Sequence, residues 1–484
     1  MPTTPDWVKN AVFYQIFPDR FARSGQVDAH DTVTLKPWGH PPEAQGFQGG
    51  DLYGIVQHLD YLQELGVTAL YLNPIFASAA NHRYHTYDYY TVDPLLGGNE
   101  ALHTLLDAAH QRDIRVVLDG VFNHASRGFW PFHHVLENGA DSPYTDWFHL
   151  HDTPLRPYND SAPANYDAWA GLRALPKLNT DHPPVRAFIL DVATHWIEQG
   201  VDGWRLDVPN EIDDDDFWRT FRDRVKSTDP DAYICGEIWT PADRWLQGDQ
   251  FDGVMNYPLT DSLFGFVAPN TLRGFDHEHF DFAPRTGTEF TREVMSVFTR
   301  YPESIQQAQL NVLDSHDTPR ILHTLGNNVA AMKLAVLFQM TMPGAPCIYY
   351  GDEIGMSSAG DPYCREAFPW SDEARWNDSL LSFYQQATAL RNNHPVLRTG
   401  SVSAIQATDR QAVFRRSTDS NEAIIAFNTA GTLSTVTIPA LDLSASTYTP
   451  VWPADRSAPL RSSDPTVQLP EHSAAVWIGP RSSA

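Results

Sequence analysis

The sequence predicts a (β/α)8 barrel (TIM barrel) with an inserted subdomain after the third strand and a C-terminal antiparallel β domain. Three observations indicate this fold: eight short, apolar, strand-like runs, a helix or a long crossover between successive runs, and no glycine-rich turn of the nucleotide-binding type. Short apolar strands separated by helices form parallel sheets with right-handed crossovers. Eight such units are typical of a closed barrel.

The elements follow one another along the first 395 residues. The strand-like runs are 12–17, 67–76, 114–124, 201–208, 231–239, 251–257, 309–317 and 345–355. Helical spacing of apolar residues predicts helices over 51–66, 101–113, 185–200, 213–226, 328–341 and 378–393. Gly66 is a helix stop, and the four aspartates at 213–216 begin a helix because Asp side chains cap free N–H groups there.

Two stretches depart from the alternation. Residues 125–183 are rich in Pro, His, Asn and aromatic residues and show little periodicity, which predicts an excursion from the barrel. From about residue 397, alternating runs such as QAVFRRS predict a small antiparallel β domain. The domain prediction is therefore a catalytic barrel at 1–122 and 184–395, an inserted subdomain B at 123–183 and a C-terminal β-sandwich at 396–484.

Composition narrows the class of protein. The formal net charge of −26 argues against a nucleic acid or an anionic membrane as partner, and no apolar run reaches the 18 residues of a membrane helix. The 14 Trp, 19 Tyr and 25 Phe suit neutral, flat-faced ligands such as sugars. Three cysteines without CxxC spacing indicate neither a disulfide framework nor a zinc site. The N-terminal residues do not resemble a secretory signal, so we expect a cytoplasmic protein.

Ionisable residues collect at the C-terminal ends of the predicted strands, where barrels of this class place their catalytic groups. These residues are Asp119, Asn123 and His124 after the third strand, Arg205 and Asp207 at the end of the fourth, Glu237 after the fifth, His316 and Asp317 after the seventh, and Asp352 and Glu353 after the eighth. We expect them to face a common mouth.

The run GWRLDV at 203–208 places two opposite charges in a strand that otherwise reads as buried. Arg205 and Asp207 are two residues apart and point to the same side, so the arginine favours the ionised carboxylate, as a nucleophile requires. By itself the pair also fits a structural ion pair. Together with Glu237 and Asp317 it places three repelling carboxylates in one mouth, and at least one of them then carries a proton. A carboxylate nucleophile beside a carboxylic acid is the equipment of retaining glycoside hydrolysis.

Four ordered motifs resemble those of the α-amylase family, family 13 of the glycoside hydrolases. They are DGVFNH at 119–124, GWRLDV at 203–208, GEIW at 236–239 and LDSHDTPR at 313–320, and the resemblance extends over about residues 10–395. It implies that Asp207 is the nucleophile of a double displacement through a covalent glycosyl-enzyme. It also implies that Glu237 is the general acid/base and that Asp317 is the third carboxylate, which binds sugar hydroxyls.

The same resemblance implies six substrate-binding residues. They are Arg205 beside the nucleophile, His124 and His316 on the sugar at the cleavage site, Tyr84 stacked under that sugar, and Asp361 and Arg365 on the next sugar towards the non-reducing end. The segment LPKLN at 175–179 resembles the MPKLN segment of the neopullulanase, cyclomaltodextrinase and maltogenic amylase group. Members of that group hydrolyse α-1,4 bonds in cyclodextrins, pullulan, starch and maltooligosaccharides, often with transfer to sugar acceptors.

The sequence differs from that group in two features. VPNE at 208–211 has Pro209 where the group has alanine, next to the acceptor side. The first strand begins near residue 12, so the group's N-terminal β domain is expected to be absent. We therefore expect a monomer, with a homodimer as the alternative.

No cofactor is expected to be required. Asn123 corresponds to a calcium ligand of the family, but 23–31 lacks the Asn/Asp-rich loop of many relatives, so bound calcium is the alternative.

A rival function is an exo-acting α-glucosidase or glucosyltransferase on the same scaffold. A non-enzymatic glucan-binding subunit is disfavoured because all the carboxylates are present. Trp452 and Trp477 of the C-terminal domain are expected in its core, with contact to sugar as the alternative.

Overall fold

A closed ring of eight parallel strands forms the centre of the molecule. The computed structural model describes residues 3–28, 33–159, 161–439, 442–454 and 458–481. The barrel strands are β1 (Phe13–Ile16), β2 (Ala69–Leu72), β3 (Arg115–Gly120), β4 (Gly203–Leu206), β5 (Tyr233–Gly236), β6 (Gly253–Val254), β7 (Leu310–Val312) and β8 (Ala345–Tyr349). Their order is β6-β5-β4-β3-β2-β1-β8-β7, and a parallel bridge from Met255 to Leu310 joins the two ends. The predicted fold class is confirmed.

Helices surround this ring. The helices packed around the barrel are Leu52–Gln57, Leu59–Glu64, Gly98–His110, Pro183–Glu198, Asp215–Thr228, Pro258–Val267, Gly287–Phe298, Val329–Thr341 and Asp378–Asn393, with shorter ones at Pro18–Phe21, Glu303–Gln307, Ile321–Thr324 and Pro395–Thr399. Asp214 caps its helix by accepting from the Phe217 N–H, as the aspartate run predicts. No helix within the described ranges has the length and apolar character needed to cross a bilayer.

One of the predicted helices is interrupted in the structure, and one crossover of the barrel contains no helix. The helix expected over 51–66 is broken at His58, whose backbone leaves the helical region and whose ring stacks on Trp370 with centroids 3.6 Å apart. The crossover between β5 and β6 is built from turns over 237–252 and contains no helix. A contact with a residue more than 300 positions away is invisible to local helical periodicity.

Alternating residues of the barrel strands face two different cores. On β2, Ala69 and Tyr71 pack inside the barrel, whereas Leu70 and Leu72 pack outwards against the helices. Because the period of a strand is two, residues in phase with the inward set also point inwards beyond the last apolar layer. This alternation aims polar side chains at the C-terminal ends of the strands into the barrel mouth.

An irregular subdomain lies between β3 and the helix Pro183–Glu198. It contains the helix Trp130–Asn138 and isolated antiparallel bridges, among them His124 to Lys177 and Ala168 to Pro176. A hairpin of Phe76–Ser78 and Thr86–Val92 follows β2 and was not predicted. Both features rise above the C-terminal end of the barrel, where they form walls of the cavity described below.

The C-terminal domain packs one antiparallel sheet against a smaller one. The larger sheet has the order Ser401–Ala407, Gln411–Ser417, Asn421–Asn428, Ser473–Pro480, Thr447–Trp452 and Leu460–Arg461, and the smaller pairs Ser434–Thr437 with Thr466–Leu469. Trp477 is buried between them, and Trp452 packs edge-on against Phe383 of the barrel. Trp477 is a core residue of this domain, as expected, whereas Trp452 is buried where the domain contacts the barrel.

Candidate active site

A cavity of about 470 Å³ opens at the C-terminal ends of the barrel strands. Seven of the nine predicted site residues line it, namely Tyr84, His124, Asp207, Glu237, Asp317, Asp361 and Arg365. The other two, Arg205 and His316, are buried directly beneath these residues and contact them. The fold therefore brings together groups that are spread over 281 positions of the chain, from Tyr84 to Arg365.

Strand register sets the central ion cluster. Arg205 on β4 is the register partner of Asp119 on β3 and of Cys235 on β5, so it points into the barrel. Its Nη1 lies 2.8 Å from Asp119 Oδ1 and 3.2 Å from Asp207 Oδ1, and its Nη2 lies 2.9 Å from Glu237 Oε2. The expectation of an arginine paired with Asp207 alone is therefore too simple, because one guanidinium serves three carboxylates.

The backbone at the start of β4 allows this close packing. Gly203 has φ 158°, and a Cβ atom there would lie 2.3 Å from the Tyr233 carbonyl oxygen of β5. Any larger residue would push the two strands apart. The first residue of the GWRLDV run thus secures the strand spacing on which the position of Arg205 depends.

Burial and mutual repulsion determine the protonation of the carboxylates. Burial raises the pKa of Asp207, and the charge of Glu237 raises it further, while Arg205 acts in the opposite direction. Burial also raises the pKa of Glu237. Since Arg205 supplies a single positive charge to three acids, the Asp207–Glu237 pair retains a proton at a pH where free carboxylates are ionised. The predicted raised pKa in the mouth agrees with this arrangement.

Glu237 is held by two N–H donors besides Arg205. The Val208 backbone N–H donates to Oε2 at 3.1 Å, and the Trp239 indole N–H donates to Oε1 at 3.2 Å. Val208 has φ 37° and ψ 50°, a left-handed conformation that is strained for a β-branched residue. The Trp239 ring stacks on Tyr257 at 3.7 Å and on His277 at 4.5 Å, which fixes the direction of its N–H.

A buried relay extends from β1 to Asp119. Gln15 Nε2 lies 2.9 Å from His316 Nδ1, and because the amide donates, His316 carries its proton on Nε2. That nitrogen lies 2.6 Å from the Tyr84 hydroxyl, which donates to Asp119 Oδ2 at 2.9 Å. Burial lowers the pKa of His316 well below its usual range, so the ring is neutral. Tyr84 is thereby fixed in orientation at the cavity wall.

Asp317 belongs to a second, more exposed charge cluster. Arg365 Nη2 lies 3.2 Å from Asp317 Oδ1, and its Nη1 lies 2.9 Å from Asp361 Oδ1. The Arg365 Nε–H donates to the His316 carbonyl oxygen, which ties this cluster to the relay. The Asp317 side chain is 35% exposed, against 10% for Asp207, so it is more accessible to a ligand than Asp207.

His124 lines the cavity beside Trp169. Asn123 Nδ2 lies 3.2 Å from His124 Nδ1 and donates to it, so the proton of the neutral ring is on Nε2. Burial lowers the pKa of His124 to about 3. Among the described residues Nε2 has no hydrogen-bond partner, although it is buried. The ring is backed by Trp169 of the inserted subdomain, which stacks on it at 5.5 Å.

Several cavity residues were not predicted from the sequence. Trp169, Trp239, His277, His82 and His85 line the cavity. Of these, Trp239 lies inside the recognised motif GEIW, so the sequence contained the information needed to identify it. Trp169 and His277 come from irregular segments whose sequence shows no periodicity, and only the tertiary fold places them here.

Two strand-end acids do not reach the mouth. Glu353 accepts hydrogen bonds from Tyr14 at 2.8 Å and from Tyr61 at 2.7 Å, and Asp352 pairs with Arg320 at 2.9 Å. Neither lines the cavity. The expectation that they face the mouth is corrected: the chain turns at Gly351, which has φ 87°, and carries both acids behind the barrel wall.

Asn123, which corresponds to a calcium ligand of the family, is buried beside His124. Asn123 Oδ1 is buried without a hydrogen-bond partner, which is the kind of atom a cation would use. However, no group of three or more His, Cys, Asp or Glu side chains arranged to hold a metal ion occurs within the described ranges. Part of the segment 23–31, at 29–31, lies outside those ranges.

This arrangement provides the groups for nucleophilic and acid/base catalysis in one place. Asp207 and Glu237, whose pKa values are both raised by burial, line the cavity together with the carboxylate of Asp317 and the ring of His124. The walls are aromatic and apolar, formed in part by Tyr84, Trp169 and Leu175. Such a cavity suits an uncharged polyhydroxylated ring rather than an anion.

Comparison with known proteins agrees with this chemistry. Residues 15–374 match the family "Alpha amylase, catalytic domain". A cyclomaltodextrinase of Geobacillus thermopakistaniensis (strain MAS1) is 47% identical over 425 residues, which is 87% of this chain and 69% of that protein. Neopullulanase 2 of Thermoactinomyces vulgaris is 45% identical over 440 residues, 90% of this chain and 72% of that protein.

A solved structure extends the similarity to the whole chain. The acarbose-soaked crystal structure of the Nostoc punctiforme debranching enzyme superposes with a TM-score of 0.89 at 44% identity, covering 99% of this chain and 100% of that one. The family match covers most of the chain, and the relatives exceed 40% identity over most of its length. The chain belongs to the α-amylase family of glycoside hydrolases.

Proposed function

We propose that this protein is a retaining α-glucan hydrolase that cleaves α-1,4 glucosidic bonds in maltooligosaccharides, cyclodextrins, pullulan or starch, with transfer to sugar acceptors as a side reaction. The observation that carries the proposal is the contact of one guanidinium, Arg205, with both Asp207 and Glu237 at the floor of the cavity. It brings two carboxyl groups with linked protonation to the same substrate bond. The names of the relatives, cyclomaltodextrinase and neopullulanase 2, support the substrate class.

The proposed reaction has two displacements. In the first, an Asp207 oxygen attacks the anomeric carbon, the bond to the leaving sugar breaks, and Glu237 gives its proton to the leaving oxygen. In the second, water attacks the same carbon, Glu237 takes the water proton, and Asp207 leaves as a carboxylate. Two inversions give net retention, and each proton that Glu237 loses is recovered.

The surrounding residues bind and orient the sugar. We assign the Nε2–H of His124 and the relay of His316 and Tyr84 to the sugar at the cleavage site, because the first is a free donor and the second fixes the Tyr84 ring. Asp317, with its exposed carboxylate, would hold hydroxyls of the same sugar as its ring flattens. Asp361 and Arg365 would hold the next sugar, where their ion pair forms one edge of the cavity.

A product time course tests the proposal. The purified protein is offered cyclomaltodextrin, pullulan, soluble starch and maltotriose separately, and the released sugars are identified. Ring opening with maltose or panose as product supports it. Glucose released from maltotriose, with no attack on rings or polymers, would instead establish an exo-acting α-glucosidase. No turnover of any of the four would contradict glucan hydrolysis altogether.

We predict that Trp239→Phe moves the alkaline limb of the kcat/KM pH profile to higher pH. The indole N–H stabilises the ionised form of Glu237, so its loss raises the pKa of Glu237 and keeps the acid protonated longer. A hydrogen bond of about 1 kcal/mol corresponds to a shift of roughly 0.5–1 pH unit. The profile is measured on maltotriose.

Trp169→Phe is the matched control, because Trp169 also lines the cavity yet makes no described hydrogen bond to a carboxylate. Its substitution is expected to change KM without moving the limb. An unmoved limb in a folded Trp239→Phe protein would show that the indole N–H does not set the protonation of Glu237.

We also propose that activity does not require a metal ion. Dialysis against EDTA is expected to leave the rate on maltotriose and the thermal midpoint unchanged. Activity that is lost on chelation and restored by Ca²⁺ alone would overturn this, and an Asn123→Ala variant that no longer responds to Ca²⁺ would then place the ion at Asn123. The correspondence of Asn123 to a calcium ligand of the family is the reason to perform the test.

Two further properties remain proposals. We propose a cytoplasmic location, supported by three buried cysteines that are free thiols, Cys235, Cys347 and Cys364, since reduced thiols are usual in that compartment. We also propose a monomer in solution, which sedimentation velocity tests directly. A stable dimer at micromolar concentration would contradict it.

A further inference from the structure

Exposed apolar side chains are concentrated beside the catalytic cavity. Large hydrophobic residues exposed to solvent within the described part of the chain are Tyr87, Tyr90, Trp130, Tyr158, Leu172, Tyr363 and Leu433. Three of them, Tyr87, Tyr158 and Leu172, line two cavities that adjoin the catalytic one. An exposed apolar group of this kind at the mouth of an enzyme cleft marks a binding surface.

The three cavities border one another. The second has a volume of about 630 Å³ and shares His82, His85 and Ala44 with the catalytic cavity. The third, of about 400 Å³, shares Leu172 with the catalytic cavity and Tyr158 with the second. Together the second and third cavities form a surface along the edge of the inserted subdomain, which we call the rim. The rim therefore lies next to the catalytic cavity.

The rim offers an exposed aromatic face. The Tyr158 ring is 72% exposed, and the Arg127 guanidinium lies over it, 4.4 Å from the ring centroid. The Nη1 of Arg127 also donates to the Pro157 carbonyl oxygen at 2.9 Å. The Tyr158 ring is therefore largely open to solvent beside the catalytic cavity. A flat apolar face of this kind stacks on the apolar face of a sugar ring.

The remaining lining is polar. Around the second cavity it includes Gln45, Asn81, Ser126 and His133, together with Arg127. In the third cavity Arg173 Nη1 donates to the Arg156 carbonyl oxygen at 3.0 Å. The arginines of the rim thus donate to backbone carbonyl groups. Amide and hydroxyl groups beside an aromatic ring match a chain of glucose units.

We propose that the rim binds glucosyl units of the substrate that lie outside the catalytic cavity, so that the enzyme prefers long or branched α-glucans to short ones. This inference rests on the proposed function, because the ligand is the same glucan chain that the catalytic cavity cleaves. Tyr158 supplies the stacking surface, and His82 and His85 line the passage between the two sites.

The test compares a long and a short substrate in one variant. Tyr158→Ala is expected to lower kcat/KM on maltoheptaose about tenfold, the loss that one stacked aromatic face gives. On maltotriose, kcat/KM is expected to stay within twofold of the wild type. Since Tyr158 is mostly exposed, its substitution leaves no cavity in a core, and circular dichroism confirms the fold.

Trp130→Ala is the matched control. Trp130 is 62% exposed and belongs to the same subdomain, but it lines neither cavity of the rim. We expect it to leave both substrates unaffected. A fall for maltoheptaose in both variants would show a general effect of the subdomain and overturn the assignment to Tyr158.

The outcomes separate this inference from the proposed function. If the wild type turns over both substrates and Tyr158→Ala treats them alike, the rim does not bind substrate, while glucan hydrolysis stands. If the wild type turns over neither, the proposed function itself fails. Calorimetric titration of maltoheptaose into Asp207→Asn checks the binding without turnover: loss of affinity on adding Tyr158→Ala supports the rim, and unchanged affinity contradicts it.

Discussion

Asp207→Asn is expected to lose turnover by at least roughly 10⁴-fold on every glucan, the size of effect seen when a catalytic nucleophile is removed. The amide keeps the shape of the carboxylate but cannot form the glycosyl ester. Because Asp207 is one of three buried acids around a single guanidinium, its neutralisation also removes repulsion within the cluster. The thermal midpoint is therefore expected to stay equal or rise, which a calorimetric scan measures together with the rate.

Glu353→Gln provides the control for loss of a buried acid near the barrel mouth. Glu353 is fully buried and bonded to Tyr14 and Tyr61, outside the cavity. We expect this variant to turn over maltotriose at the wild-type rate. Substantial activity in a folded Asp207→Asn protein would contradict the assignment of Asp207 as nucleophile.

Arg205→Leu is expected to stop catalysis and to lower the free energy of unfolding by about 3–5 kcal/mol, the usual cost of leaving buried charges without their partner. The side chain is nearly inaccessible to solvent and contacts Asp119, Asp207 and Glu237. Without it, the pKa values of these acids in the folded protein rise further above their unfolded values. Stability is then retained at pH 4 and is lost as pH rises through the raised pKa values.

The measurement is urea denaturation of the variant and the wild type at pH 5 and pH 8. The difference between the two proteins is expected to be larger at pH 8. Arg205→Lys serves as control, because one ammonium group keeps the charge but cannot span three carboxylates, so it is expected to be inactive yet more stable than Arg205→Leu. An equal loss of stability at both pH values would show that the cluster is not electrostatically coupled to folding.

Local sequence was sufficient for the barrel because its signals are short-range. Each strand is a run of buried residues such as VVL in β3, and each needs only its neighbours along the chain to be recognised. The break at His58 was missed for the opposite reason. Stacking on Trp370 is decided by a distant part of the chain, which periodicity does not report.

The candidate site also contains residues that local sequence identifies and contacts that only the tertiary fold determines. Asp207, Glu237 and Asp317 lie in short motifs at strand ends, so residue type and motif order are enough to identify them. How Arg205 divides its contacts among three acids depends on the register between strands, which the sequence does not state. Trp169 reaches the cavity only through the irregular fold of the inserted subdomain.

The behaviour of Glu353 shows the limit of reading function from strand ends. It follows β8 as Glu237 follows β5, and in sequence the two acids look equivalent. The left-handed turn at Gly351 directs Glu353 behind the wall, where two tyrosines bind it. The Val208 conformation, by contrast, turns a backbone N–H towards Glu237. Backbone dihedral angles of single residues thus separate a structural acid from a catalytic one.

The most direct test of the account is to trap the covalent intermediate. A Glu237→Gln variant is incubated with 5-fluoro-α-D-glucosyl fluoride, whose good leaving group allows the first displacement without an acid while the second is slowed. The account predicts that mass spectrometry of a digest finds one fluoroglucosyl group, attached to the peptide that contains Asp207. A label on another carboxylate, or release of the β-anomer with no label, would contradict attack by Asp207 and a retaining mechanism.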